Sequence, residues 1–391
     1  MREALEGSLA IARAVAMAKP DVVAAYPITP QTHIVENLSK LVAEGDLHTE
    51  FVSVESEFSA ASVVLGAAAT GARAYTATAS QGVLLMSEVL FNIAGLRIPL
   101  VMTVANRAVG APLSIWNDQS DAMAVRDAGW IHLHCASNQE AVDTTIQAFR
   151  IAEATELPVM VCMDGFVLTH TMEVIDMPGQ AQVDAFLPPF AFSRALDSAD
   201  PRTVGTLVDP GWFAEMRHSH HAAMGRALGV IEKVDADFAK LTGRASGGLL
   251  TVTGDPDARV GILAMGSVVG TLEAGLADFG TEAGTARLIK LRAFRPFPAR
   301  ALREAVAGLD TLIVIDRAIS PGLGGIVGSE VSAVLQSMTA APRVLNYALG
   351  LGGRDIPESV YPALIAAAAN PLAPRFAVFD ADLDKLMPED R

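Results

Sequence analysis

Cysteine is nearly absent from this chain of 391 residues, with Cys135 and Cys162 the only two. Two thiols cannot hold an iron–sulfur cluster, so electron transfer through such a cluster would need other chains. Each lies in an apolar, strand-like run, Ile131 to Ala136 and Pro158 to Met163, which predicts buried, inert thiols. Basic residues are also scarce: 29 Lys and Arg stand against 44 Asp and Glu, a formal charge of −15. That balance excludes a nucleic-acid partner, since phosphate neutralisation needs a basic face. Aromatic residues make up only 6%. No apolar run is long enough to span a bilayer. The opening residues, Met1 to Gly7, are acidic and lack the apolar stretch of a secretion signal, which predicts a cytoplasmic protein with no membrane association.

What is present is a core. Half the residues are hydrophobic, and alanine and glycine are abundant enough for close helix-on-sheet packing. Apolar runs alternate with helical spacers. The runs are Val22 to Tyr26, Phe51 to Val54, Arg73 to Thr78, Pro99 to Ala105, Ile131 to Cys135 and Pro158 to Met163. The spacers are Glu6 to Lys19, Thr32 to Glu44, Ala60 to Thr70, Gly82 to Ala94 and Gln139 to Ala154. This alternation predicts an α/β fold, a parallel sheet covered by helices on both faces. Residues 177 to 212 are rich in proline and turn formers and read as a surface linker. A helix from Trp212 to Leu241 follows. Its His218 and His221 have i, i+3 spacing, but no carboxylate completes a metal set and His220 points away, so polar helix surface is expected. A second βα block starts near Arg259, with strands Val260 to Met265, Ala286 to Leu291, Thr311 to Asp316 and Arg343 to Tyr347, and it ends in an acidic tail from Asp380. The chain contains no internal repeat.

Ligands of open parallel sheets bind beyond the carboxyl ends of the strands, so those loops are the places to search. After the first strand, Tyr26-Pro27-Ile28-Thr29-Pro30-Gln31-Thr32 is stiffened by two prolines and presents the Thr29 hydroxyl. The same residues also read as a helix start with Thr29 as cap and Pro30 in the first turn. After the second strand, Glu55 and Glu57 stand at a strand-to-helix junction flanked by apolar residues, where desolvation should make a carboxyl proton available. An acidic first turn complementing the helix dipole explains them as well. Strand alternation puts both carboxylates on one side, so spacing does not choose between them. The small residues of Thr78-Ala79-Ser80-Gln81-Gly82 permit close approach of backbone to a ligand, or form a plain turn. Arg107, after the fourth strand, suits a bidentate carboxylate contact or an ordinary ion pair. Ser114 to Gln119 is polar with one aromatic residue, a lid or a subunit contact.

In order along the chain, these loops resemble the alpha subunit of pyruvate:ferredoxin oxidoreductases and related 2-oxoacid:acceptor oxidoreductases. The resemblance rests on Tyr26 to Pro30, Ser56-Glu57, Thr78 to Gly82, Arg107-Ala108 and Ile115 to Gln119. Met163 to Phe166 with Thr169-His170, Lys290 to Pro298 and Gly350 to Asp355 extend it over nearly the whole chain. It implies a thiamine-diphosphate-binding, pyrimidine-type domain over 1–240, with the linker from about 177, and a transketolase C-terminal-like α/β domain over 250–391. It implies oxidative decarboxylation of a 2-oxoacid, pyruvate foremost, to acyl-CoA and CO2, with phenylglyoxylate or a branched-chain 2-oxoacid as alternatives. Coenzyme A would be co-substrate, and ferredoxin, or NAD through an extra flavin chain, the acceptor. The resemblance selects Glu57 as the glutamate that hydrogen-bonds the aminopyrimidine ring of thiamine diphosphate. It makes Thr29 and Arg107 the binders of the substrate carboxylate, and Ser80, Gln81, Pro27 and Ile28 the lining of the cofactor pocket.

Thiamine diphosphate enzymes hold magnesium with a Gly-Asp-Gly motif, and this sequence has none; Gly254-Asp255-Pro256 is nearest, and its proline spoils it. No metal ligand is therefore expected here. A beta subunit would bind magnesium and the diphosphate, and gamma and delta-type subunits would complete the assembly with the iron–sulfur clusters. Two other readings compete. The chain is a non-catalytic assembly module that kept the fold, or a dehydrogenase that uses the glycine-rich Gly322 to Gly328 after the Thr311 to Asp316 strand. The glycine spacing is not that of the dinucleotide fingerprint, and a tight helix start near coenzyme A or a partner chain fits it better.

Overall fold

The computed structural model describes residues 2–390. Two sheets organise it. The first has seven strands, in spatial order Ala293–Arg295, Ile131–Cys135, Val159–Asp164, Val101–Asn106, Ala74–Thr78, Val22–Ala25 and Glu50–Ser53. All neighbours in it are parallel except Ala293–Arg295, which pairs antiparallel with Ile131–Cys135. Its central strands are buried along their whole length, which is why they read as unbroken apolar runs rather than alternating ones. Helices Gly7–Met17, Thr32–Glu44, Asn138–Thr155 and Phe213–Thr242 cover one face around a core including Ile11, Leu38, Phe149 and Phe238. Helices Glu57–Ala69 and Ser87–Gly95 cover the other, over Val64, Leu90, Met102 and Trp130. The second sheet runs Phe376–Val378, Arg343–Ala348, Thr311–Asp316, Val260–Ala264, Arg287–Leu291 and Leu250–Gly254. Only Leu250–Gly254 is antiparallel to its neighbour.

Several local expectations need correction. The opening residues Arg2–Glu6 form a strand paired antiparallel with Met172–Asp176, so the first helix starts at Gly7. The helix expected from Ala60 starts at Glu57, where the Ser56 hydroxyl accepts the Ser59 amide and satisfies an end donor. Gly82 to Ala94 is two helices, Gln81–Leu85 and Ser87–Gly95. The linker from 177 contains a helix, Gln180–Phe186, whose Phe186 ring meets Phe238 edge-on at 5.2 Å.

The motif Lys290 to Pro298 is a seam. Arg287–Leu291 belongs to the second sheet, and two residues later Ala293–Arg295 belongs to the first. Arg292, between them, is fully buried. Its guanidinium donates to the Gly248 carbonyl at 2.9 Å, Thr144 Oγ1 at 3.0 Å and Gln147 Oε1 at 2.9 Å. Lys290 Nζ reaches Glu140 at 2.9 Å. These bonds satisfy charges that would be costly to bury unpaired. Among the described residues, no helix is long and apolar enough to cross a membrane.

Candidate active site

The strands Glu50–Ser53, Val22–Ala25, Ala74–Thr78 and Val101–Asn106 are successive neighbours, so the loops leaving their carboxyl ends converge. Those loops carry the residues singled out above. Arg107 is buried, and its Nη1 donates to the Thr29 carbonyl at 3.0 Å while its Nε donates to the Ser114 carbonyl at 2.9 Å. Burial holds this guanidinium below its usual pKa, and Asp121 opposes the shift. Thr29 is exposed, and its backbone, not its hydroxyl, meets the arginine. It does not cap the next helix. That role falls to Gln31, with no side-chain cap bond, and the helix begins at Thr32. Instead Gln31, fully buried, donates from Nε2 to the Ala77 carbonyl at 2.7 Å and accepts the Ile28 amide on Oε1 at 3.2 Å. It pins the Thr29 loop to the neighbouring strand. Pro27 is exposed and Ile28 half-buried, both in that loop.

Neither glutamate lies on a strand, because the strand ends at Ser53 and the helix begins at Glu57. The alternation argument therefore does not apply, and the two carboxylates separate. Glu55 is fully exposed and bonded by the Ser59 hydroxyl, which together with its own backbone lowers its pKa. Glu57 is 7% exposed, and among the described residues no hydrogen bond or ion pair reaches its carboxylate. It packs against Gly82. A Cβ on that glycine would lie 2.3 Å from Thr78 Oγ1 and 2.9 Å from Glu57 Oε1, so only glycine lets both oxygens approach the turn. Thr78 Oγ1 is itself buried without a partner. An unpaired carboxylate and an unpaired buried hydroxyl, both packed against the Gly82 turn, fit a polar ring with its own donor and acceptor atoms.

Ser80 is fully buried, and its φ of 49° is unusual for a residue with a side chain. Such a conformation costs about 1–3 kcal/mol and persists only where its surroundings hold it. Here its hydroxyl donates to the Ala108 carbonyl at 2.6 Å and its amide to Asp121 Oδ2 at 2.9 Å. Gln81 follows, half-buried. Asp121 was not among the residues expected in the site. Its fully buried carboxylate also accepts the Arg107 amide at 3.0 Å, Asn106 Nδ2 at 2.8 Å and its neighbour's amide, Ala122 N, at 2.7 Å. Desolvation lifts its pKa to about 6, against the pull of those four bonds. One carboxylate thus ties the Ser80 turn to the Arg107 turn. The only hint in the sequence is an acid two residues past the loop Ser114 to Gln119.

Other candidates resolve differently. The Gly322 to Gly328 segment leads into helix Ile326–Leu335, whose Val327 and Gly328 amides both donate to the Asp316 carboxylate at 2.9 Å. The donors a dinucleotide phosphate would need are already taken. His218 and His221 are exposed, and His220 is buried against the Gly129 carbonyl at 3.1 Å. Both cysteines are buried, and desolvation raises both thiols, Cys135 to about 12. A cavity of about 640 Å³, lined by Arg97, Phe192, Leu207 and Phe213 among others, includes none of the loop residues above and lies near the amino end of the Val101–Asn106 strand. Size alone is a weak guide here, because open parallel sheets bind ligands at the opposite, carboxyl ends.

The chain is similar to known proteins over most of its length. Residues 13–236 match the family described as pyruvate flavodoxin/ferredoxin oxidoreductase, thiamine diphosphate-binding, and residues 258–359 match pyruvate:ferredoxin oxidoreductase core domain II. Pyruvate synthase subunit PorA of Methanosarcina barkeri is 45% identical over 361 residues, covering 91% of this chain and 90% of that protein. PorA of Methanothermobacter thermautotrophicus is 42% identical, covering 94% and 95%. Ketoisovalerate oxidoreductase subunit VorA of Pyrococcus abyssi is 39% identical, covering 92% and 91%. In fold, the chain is similar to a 2-oxoglutarate:ferredoxin oxidoreductase from Magnetococcus marinus, with a TM-score of 0.73 at 19% identity over 94% of this chain and 65% of that one.

Proposed function

This chain belongs to the pyruvate flavodoxin/ferredoxin oxidoreductase family, and from that premise we propose how its residues serve the reaction. It is the alpha-type subunit of a multi-subunit 2-oxoacid oxidoreductase that decarboxylates its substrate oxidatively within a complex, pyruvate being favoured. A branched-chain 2-oxoacid is the second reading, favoured by the similarity to ketoisovalerate oxidoreductase subunits. Residues 1–240 would be the pyrimidine-binding unit and 250–391 the transketolase C-terminal-like unit.

The observation that carries the proposal is Glu57, a buried residue whose carboxylate is unpaired, at the same end of the sheet as the Thr29 loop that is bonded to Arg107. Thiamine diphosphate, when bound, supplies the carbon nucleophile that attacks the keto group and the electron sink that makes decarboxylation feasible. Glu57 would hold its aminopyrimidine ring and keep a proton at a carboxyl oxygen in exchange with the ring. Ser80 and Gln81, with Pro27 and Ile28, would line the ring pocket. Arg107 has guanidinium donors beyond the two it spends on carbonyls, and these, with the exposed Thr29 hydroxyl, suit the carboxylate of a small 2-oxoacid. Binding of the diphosphate and magnesium would fall to a beta subunit, because Asp255 in the nearest match to the magnesium motif already accepts Thr285 Oγ1 at 2.6 Å and the Asp257 amide at 2.9 Å. Gamma and delta-type chains would carry the iron–sulfur clusters toward ferredoxin or another acceptor, and coenzyme A would take the acyl group.

The test is Glu57→Gln in the reconstituted complex. Coenzyme A-dependent oxidation of pyruvate should fall about 10²- to 10⁴-fold, the range of a lost general acid–base group, with the melting temperature of the chain unchanged. Near-normal turnover would favour a purely structural subunit. Rates across pyruvate, 2-oxoisovalerate and phenylglyoxylate separate the substrate readings.

A further inference from the structure

Strands Ile131–Cys135 and Val159–Asp164 run side by side, with His132 opposite Met160 and His134 opposite Cys162. Alternation puts these four side chains on one face of the sheet. They are His132 and Met160 at 0% exposure and His134 and Cys162 at 1%. Ligand atoms of His132, His134 and Cys162 all lie within 4.8 Å of one another. Both ring nitrogens of His132 and Nε2 of His134 are buried without any hydrogen-bond partner. Buried imidazoles in this state are rare, because an unmet donor or acceptor keeps its full desolvation cost.

One other cluster among the described residues has ligand spacing: Glu6, His33 and His170. It explains itself internally, since His33 Nδ1 lies 2.7 Å from the Glu6 carboxylate and His170 Nδ1 lies 2.7 Å from the Thr169 hydroxyl. The His132 cluster has no such account. The Phe294 ring stands 6.4 Å from His132 and edge-on to His134 at 6.3 Å, closing off water. Among the described residues, neither imidazole has a charged hydrogen-bond partner, and the neutral ring is the ligating form.

We propose that His132, His134 and Cys162, with Met160 beside them, form a buried site for a soft transition-metal ion, Cu(I) or Zn(II). Two imidazoles and a thiolate suit either ion, and a thioether neighbour favours copper. On binding, the Cys162 S–H bond breaks, its proton leaves to solvent and an S–metal bond forms, with no change of oxidation state. Because the site has no opening to solvent, the ion enters as the chain folds.

The full chain is expressed twice, with copper or with zinc in excess, desalted against EDTA, and its metal measured by plasma mass spectrometry. One equivalent of one ion per chain is expected, released only on unfolding, and the growth medium that loads it identifies the ion. Refolding with Co(II) should give a thiolate-to-cobalt charge-transfer band. Cys162→Ala and His134→Gln should lose the ion and the band, while His33→Gln keeps both. Wild-type chain with a native circular-dichroism spectrum, only traces of metal from both media and no cobalt band would overturn the proposal. So would undiminished metal in folded Cys162→Ala.

Discussion

Replacing Asp121 by asparagine separates the positioning of the site from its chemistry. The carboxylate accepts four N–H groups, two on each oxygen. Asparagine keeps one acceptor oxygen and turns an NH2 toward the other pair, so two buried donors lose their partner. Each such loss costs about 1–3 kcal/mol. Against this, a carboxyl whose pKa is lifted from 3.8 to about 6 is disfavoured as an anion by roughly 3 kcal/mol at neutral pH, a burden asparagine removes. The two effects oppose, and the net change in global stability should lie between a gain of about 1 and a loss of about 3 kcal/mol. The local effect does not cancel. If the Ser80 and Arg107 amides are the freed pair, both turns shift, and a displacement of about 1 Å at a binding group costs on the order of 10²-fold in rate. The assay is kcat/KM for pyruvate in the assembled complex beside urea unfolding of the chain. A pH series adds a sign. The folded pKa lies above the unfolded one, so this carboxyl's contribution to stability is fully present below about pH 4 and is lost as pH rises through about 6. The stability of wild type relative to Asp121→Asn should therefore grow as pH falls from 7 toward 5. A kcat/KM within twofold of wild type, or a stability difference flat across that range, would refute the reasoning.

Gly82→Ala should lower turnover sharply and the melting temperature as well, because a Cβ there would lie 2.3 Å from the buried Thr78 hydroxyl and 2.9 Å from both Cγ and Oε1 of Glu57; a turnover within twofold of wild type would count against it. Arg107→Lys should lower kcat/KM about 10- to 100-fold, mainly through KM for the 2-oxoacid, since an ammonium cannot span Thr29, Ser114 and a carboxylate at once; an unchanged KM would remove Arg107 from substrate binding. Arg292→Ala should destabilise the chain by about 3–5 kcal/mol in chemical denaturation, leaving the Thr144, Gln147 and Gly248 groups unmet at the seam; a loss under 1 kcal/mol would show that the seam does not depend on it.

Local patterning determined a good deal by itself. Val101–Asn106 and Val159–Asp164 read as buried parallel strands because an apolar run with no polar alternation has no other stable use at that length. The rule that ligands gather at carboxyl ends then pointed to loops that leave neighbouring strands of one sheet. Alternation, however, assumed a strand through Glu57 where the chain had already turned into a helix, so spacing alone did not separate Glu57 from Glu55. Only the strand order brings Arg107 to Thr29, 78 positions earlier in the chain. Asp121 and Gln31 carry no local signature, and each becomes a positioning group because packing removes water and leaves it the nearest acceptor or donor for neighbouring backbones. The crossing of Ala293–Arg295 into the other sheet was equally invisible. Propensity and periodicity act over a few residues and settle which segments extend or coil. Strand order, and the loops that end up sharing one carboxylate, depend on contacts 14 to 78 residues apart, which only the packed core selects.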